Sequence, residues 1–321
     1  MPSRPKPTTS SAVLAPALAA LAALVLSACS GTGSASDVAV ATTPTLLNTA
    51  TLRLPMQDYI PSTRQLSELG RAQRVLTAQC MARYGYRYRI PELPERPSEG
   101  GENGRRYGLT DPEAAASTGY GADEANQPAK PARPSMDAAE TLVLSGSGNL
   151  DPKTLPKTQA EAEKSGRSDG EVNGKPVPVG GCTREGYLKL WMPAADSRDP
   201  MRVQDLDAEA YSRSRQDSRV VKATEAWTEC MAKKGYHAKN PVSPQPELGL
   251  TPATFTSPEG VTAATADVGC KREVNLVGIW YSVESAYQNR LIEKNTELLR
   301  ATRKQQDDAL RLAAQLIAQA G

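Results

Sequence analysis

Four cysteines in two matched settings constrain this chain more than any other feature. Cys80-Met81-Ala82-x-x-Gly85-Tyr86 is answered 150 residues later by Cys230-Met231-Ala232-x-x-Gly235-Tyr236, and the offset holds through Arg89 and Lys239 to Pro91 and Pro241. Gly181-Cys182-Thr183-Arg184-Glu185 has its counterpart in Gly269-Cys270-Lys271-Arg272-Glu273. The chain therefore reads as a duplicated unit: a helix ending in the first signature, an excursion, then a helix opening with the second. Of the three pairings that four cysteines allow, the repeat favours Cys80–Cys182 and Cys230–Cys270. In the chain-entropy treatment, closing the loop of about 40 residues in the second pair contributes roughly 4 kcal/mol, and the longer first loop somewhat more.

Helical periodicity surrounds these cysteines. Leu66, Leu69, Gln73, Leu76 and Cys80 recur at three and four residues from Ser62 onward, and Gly85 can take the left-handed conformation that ends a helix. Arg219 to Lys234 carries Val220, Ala223, Trp227 and Cys230 on one side, which predicts a helix packed antiparallel to a longer one downstream. Ser257-Pro258-Glu259 has the cap residue and first-turn proline of a helix start. From Glu259 to Gln319 there is no proline, and Val277, Trp280, Val283 or Glu284, Tyr287, Leu291 and Leu298 form an apolar stripe. That pattern predicts a helix of forty or more residues. Beyond Arg300 the composition turns to Arg, Lys, Gln, Asp and Ala around Leu310, Leu312, Leu316 and Ile317, so the last turns are expected to project from the body or to pair with another chain.

The excursions differ. Glu92 to Val179 is rich in Pro, Gly, Ser and charge, with short helices expected near Asp111–Ser117, Ser135–Leu144 and Lys157–Lys164; Val242 to Glu259 is a short Pro-rich loop. With 25 prolines, 24 glycines and a single phenylalanine, Phe255, a large continuous core is not expected. The expected fold is mainly α: a disulfide-stapled helical body with a duplicated helix–excursion–helix unit, a long C-terminal helix and long irregular segments.

The N-terminal region has a different logic. Arg4 and Lys6 precede an uncharged Ala/Leu/Val run over residues 11–25, broken by Pro16, and Leu26-Ser27-Ala28-Cys29 follows. These residues resemble the signal peptide and lipobox of bacterial lipoproteins, in which the cysteine is acylated and the chain is cut on its amino side. The competing reading, an uncleaved membrane helix, is at the short end of the roughly 20 residues a bilayer requires. The resemblance implies a signal peptide over 1–28, Cys29 as the lipidated residue, a membrane partner through that lipid, and a location on the outer face of the cell membrane. Residues 30–61, rich in Ser, Thr, Ala and Pro, read as a spacer. The expected domains are thus 1–28, a flexible tether over 29–61, a first helical unit over 62–200 and a second over 201–321. Setting Cys29 aside leaves an even four cysteines, which fits disulfides in an oxidising compartment.

Catalytic signatures are missing. His237 is the single histidine, no Cys-x-x-Cys or His-x-x-x-His occurs, and there is no nucleophile elbow or phosphate-binding glycine loop, so neither a metal nor a cofactor is expected. The formal charge of +2 offers nothing to nucleic acid. A glycosidase needs only two carboxylates, and Glu225, Glu229, Asp267, Glu273 and Glu284 are candidates in principle. Asp267, Arg272 and Glu273 beside Cys270 read as an ion-paired helix start. Tyr84, Tyr86 and Tyr88 alternate with Arg83, Arg87 and Arg89, so the tyrosines either pack on the helices or, with Arg87 and Tyr236, serve as interface anchors.

At Trp227-x-x-Cys230-Met231-x-x-x-Gly235-Tyr236, Asp267-Val268-Gly269-Cys270-Lys271 and Tyr287-Gln288, the chain resembles a group of secreted lipoproteins common in high-GC Gram-positive bacteria. Arg106-Tyr107-Gly108 with Gly119-Tyr120-Gly121 belongs to the same resemblance. It implies lipid anchoring and disulfides and brings no activity. The function expected is a non-catalytic envelope lipoprotein contacting another protein or the cell wall. The alternatives are a small-ligand or glycan-binding lipoprotein, marked by a deep pocket lined by Trp191, Trp227 or Trp280, and a hydrolase with two carboxylates facing across a cleft.

Overall fold

The duplicated helix ending is repeated in three dimensions. Helix α1, Thr63–Arg83, is capped by Ser62 with Gln65 reaching back to it. It closes with Gly85 N–H bonded to Ala82 O and Tyr86 N–H bonded to Met81 O. Helix α7, Ser218–Lys233, closes with the same two bonds, Gly235 to Ala232 and Tyr236 to Met231. This crossed pair requires a left-handed residue after the cap, and Gly85 and Gly235 supply it with φ of 88° and 86°. In both copies the cysteine and methionine before the cap are buried. The disulfides are Cys80–Cys182 and Cys230–Cys270, with Cα–Cα separations of 5.5 and 5.6 Å.

The structure is a computed structural model describing residues 38–40, 42–45, 49, 51–88, 102–121, 135–148, 151, 153 and 155–320, all within one compact unit. The expected signal peptide, Cys29, Arg89 and Pro91 lie outside the described residues. After α1 come α2 (Pro112–Thr118), α3 (Ala138–Ser145) and α4 (Gln159–Ser165), capped by Asp111, Asp137 and Thr158. These are the three short helices that the first excursion predicts. An antiparallel hairpin follows, β1 (Ser168–Val172) and β2 (Lys175–Pro178), turning at Asn173-Gly174 with φ of 53° and 71°. Then come α5 (Gly181–Trp191), α6 (Met201–Gln216), α7, α8 (Pro258–Glu273), α9 (Leu276–Lys294) and α10 (Thr296–Ala320). The fold is mainly α and ends in a long helix, as expected; the hairpin and α6 were not.

The forty-residue helix is instead three. Asn275, left-handed at φ 51°, separates α8 from α9, and Asn295 at φ −119° separates α9 from α10. Asparagine tolerates the left-handed region better than most non-glycine residues, so a stretch free of proline can still break there. One consequence is that the two cysteine signatures sit differently: Cys182 is in the first turn of α5, whereas Cys270 is in the last turn of α8. The ion-paired helix start expected at Asp267, Arg272 and Glu273 is a helix end.

Nor do the halves form separate bodies. Leu299, Thr302, Ala309, Ala313 and Leu316 give α10 a buried stripe, and Ala309, Ala313 and Leu316 pack with Leu69, Ala72 and Val75 of α1 and Leu190 of α5. The C-terminal turns therefore close onto the first unit rather than projecting. In return α2, from the first excursion, packs against α8 through Leu109, Ala115, Tyr120, Ala263, Ala264 and Val268. Each fully buried side chain of leucine size stabilises by about 1.5–3 kcal/mol relative to exposure, so these interlocked cores bind the two parts of the chain to each other.

Candidate functional site

The described part of the expected tether is laid along α9 as a strap. Val38 O accepts from Arg219 at the start of α7 (2.9 Å), and Pro44 O accepts from Asn275 (3.1 Å). Tyr281 donates to Arg53 O (3.1 Å), Gln288 Oε1 accepts from Met56 N (2.8 Å), and Arg303 of α10 donates to Asp58 O (3.0 Å). Leu54 and Met56 are buried, at 1% and 0% exposure. A Cβ on Gly278 would sit 1.9 Å from Pro44 O, so the strap can cross α9 there only over glycine. A spacer-like composition conceals this because these groups lie 181 to 245 positions away in sequence, and Asn103 and Thr110, which bond Leu52 O and Thr49, lie 51 and 61 positions away.

Beneath the strap lies a buried polar network. Glu284, with 0% exposure, accepts from Arg106 Nε (2.8 Å) and Nη2 and from Tyr107 Oη (2.8 Å). Arg106 also forks onto Asp207 of α6 (3.0 and 3.1 Å), and Gln288 donates to Asp207 (2.7 Å) while accepting from the strap. The Arg106 guanidinium lies 5.2 Å over the Tyr211 ring, which stacks on Trp280. Burial pushes the Glu284 carboxyl up, against the pull of Arg106. Burial also opposes charge on Arg106, but Glu284 and Asp207 outweigh it and hold its pKa above the usual value.

A second network sits on α8. Lys271 donates to Asp267 (2.9 Å) and to Leu109 O (2.9 Å), while Asp267 accepts from Trp227 Nε1 (3.0 Å) and from Tyr120 Oη (3.3 Å). Burial raises the Asp267 carboxyl and lowers the Lys271 ammonium. The two tripeptides of the first excursion thereby acquire a role: Arg106 and Tyr107 complete the α9 network, and Tyr120 completes the α8 network. Gly108 is needed where a Cβ would come within 2.5 Å of Pro241 O.

These arrangements consume the carboxylates that sequence singled out. Asp267 and Glu284 are struts with their oxygens occupied, while Glu225, Glu229 and Glu273 are exposed on helices. Trp227 and Trp280 donate to Asp267 and Ser214 inside the core, and Trp191 is half-buried with its carbonyl bonded to Gln305. Tyr84 is buried and donates to Pro176 O of β2; Tyr86 and Tyr88 pack, half-buried, on the same core, and Arg87 is exposed. Tyr236 is half-buried between two cores, and His237 is exposed. The alternation of Tyr84, Tyr86 and Tyr88 thus turns the aromatic face inward.

Between the strap and α9 runs an open cleft of about 870 Å³, lined among others by Arg53, Asp58, Tyr281, Ser285, Asn289 and Arg290. It presents polar groups of both signs and no tryptophan. Among the described residues no cluster of His, Cys, Asp and Glu suits a metal ion, and no helix is long and apolar enough to cross a membrane. No family model, curated protein or solved structure matches the chain.

Proposed function

We propose that this chain is an exported lipoprotein, acylated on Cys29, whose helical, disulfide-stapled body is non-catalytic and contacts another envelope protein or the cell wall from the outer face of the membrane. The lipobox-like Leu26-Ser27-Ala28-Cys29 carries this reading, and the strap shows how the chain after it is fastened. A segment that only had to span a gap would gain nothing from docking, whereas here Val38, Pro44, Leu54 and Met56 fasten the chain that follows the lipobox cysteine to α7 and α9. Two disulfides suit an oxidising compartment. The occupied oxygens of Asp267 and Glu284 support a structural rather than an acid–base role for the buried carboxylates.

The test is fractionation of cells carrying Cys29→Ala. The expected result is release of the protein from the membrane fraction or accumulation of an unprocessed precursor. Unchanged processing and retention would contradict the reading.

A further inference from the structure

We propose that the α6–α7 turn is the membrane-facing pole of the body and docks on anionic lipid headgroups; this rests on acylation of Cys29. Where the chain from the lipid joins the body decides which face can reach the bilayer. The first described residue on that path is Val38, whose carbonyl is held by Arg219 at the first turn of α7. Nine residue steps separate Cys29 from Val38, which span at most roughly 30 Å. A tether free to Pro61 would reach roughly 110 Å. Docking of the strap therefore keeps Val38, and Arg219 bonded to it, within roughly 30–40 Å of the lipidated cysteine.

That neighbourhood has suitable chemistry. Helices α6 and α7 meet at the single residue Asp217, and residues 213–222 hold four cations, Arg213, Arg215, Arg219 and Lys222, against one carboxylate. The carboxylate is withdrawn: Asp217 has 0% side-chain exposure and is bonded to Arg219. Arg213 is exposed and pairs with Glu209 one turn back; Arg215 and Lys222 are exposed, and between the cations of α7 stands Val221 at 40% exposure. An anionic surface attracts such a patch, and each cation that reaches it multiplies the affinity by about five. The attraction fades beyond a Debye length of about 8 Å at physiological salt, so few charges would hold little of a free protein at a membrane. With Cys29 and Val38 only nine residues apart in sequence the contact is intramolecular, and modest affinity then suffices to orient the body.

The experiment reconstitutes the full lipidated protein in vesicles of phosphatidylcholine with phosphatidylglycerol carrying a photoreactive headgroup, then maps crosslinked peptides and reads acylation of Cys29 by mass from the same sample. We expect crosslinks at residues 209–225 to exceed the mean of other exposed peptides at least fivefold. We expect this preference to fall to that mean in Arg215→Gln/Lys222→Gln, and to persist in Arg215→Lys/Lys222→Arg. An acylated protein whose crosslinks are uniform, or centred on another segment such as the cleft over α9, overturns the docking proposal and leaves the lipoprotein reading intact. Loss of the preference in the charge-conserving variant overturns its electrostatic basis. A protein bearing no acyl group overturns both.

Discussion

Lys271 donates to Asp267 at 2.9 Å, one turn apart on α8, with both side chains withdrawn from water. Removing one partner of such a pair leaves a buried charge without compensation, which typically costs about 3–5 kcal/mol. Lys271→Met should lower the urea midpoint accordingly, and Asp267→Asn/Lys271→Met should recover much of the loss. The pH dependence has a definite sign. Burial already raises the Asp267 carboxyl, and without Lys271 the folded state holds that proton where the unfolded chain has released it. The deficit of Lys271→Met is therefore smallest below the ordinary aspartate range and grows as pH rises through the raised folded value.

Gly278 is the point at which the strap can be tested without touching a charge. In Gly278→Ala the new Cβ meets Pro44 O at 1.9 Å, so the strap must lift or α9 must shift. Overpacking of this kind typically costs about 1–3 kcal/mol. Hydrogen exchange at the Met56 amide, bonded to Gln288 in the intact protein, should accelerate by at least tenfold while exchange in α7 stays unchanged. Unaltered protection of Met56 would mean that the strap does not depend on this crossing.

The disulfides make a third expectation. Non-reducing peptide mapping should yield Cys80 linked to Cys182 and Cys230 linked to Cys270. Cys230→Ser/Cys270→Ser should cost about 2–5 kcal/mol, read as a lower urea midpoint that no longer responds to reduction of that bridge. A Cys80–Cys230 link would contradict both the repeat and the fold.

How much of this was legible in sequence depends on whether the deciding interaction is local. The pairing of Cys80 with Cys182 and of Cys230 with Cys270 followed from their repeated contexts, and the caps at Ser62, Asp111 and Ser257 act within three residues of themselves. The β1–β2 turn is equally local: Asn173-Gly174 is the residue pair a two-residue hairpin prefers, but the polar segment around it lacks the alternating apolar residues that mark strands. The strap could not be found this way. Thr49, Met56 and Asp58 look like spacer residues until Thr110, Gln288 and Arg303 are brought to them. The same holds for α10, whose sparse apolar residues become a core face only when α1 and α5 lie beneath them.

Asp217 offers a pH test of opposite sign. It caps α7, accepts from the Arg219 amide and guanidinium, and receives the Tyr287 hydroxyl. Burial pushes its carboxyl up, but the Arg219 bonds prevail and hold it below the usual aspartate value. Its contribution is therefore present above the ordinary aspartate pKa and lost as pH falls through the lowered folded value. Asp217→Ala should cost about 1–2 kcal/mol near neutrality, and the gap between variant and wild type should close in acid.

On the proposed reading the strapped, disulfide-stapled body is held to a membrane through Cys29. Intact-mass analysis of the protein extracted from the membranes of its own cells decides whether that residue is acylated. We expect a chain beginning at Cys29 and carrying a diacylglyceryl group, with an additional acyl group on its amino terminus in cells that add one. An unmodified cysteine, in a chain that still begins upstream of residue 29 or is cut elsewhere, would contradict it.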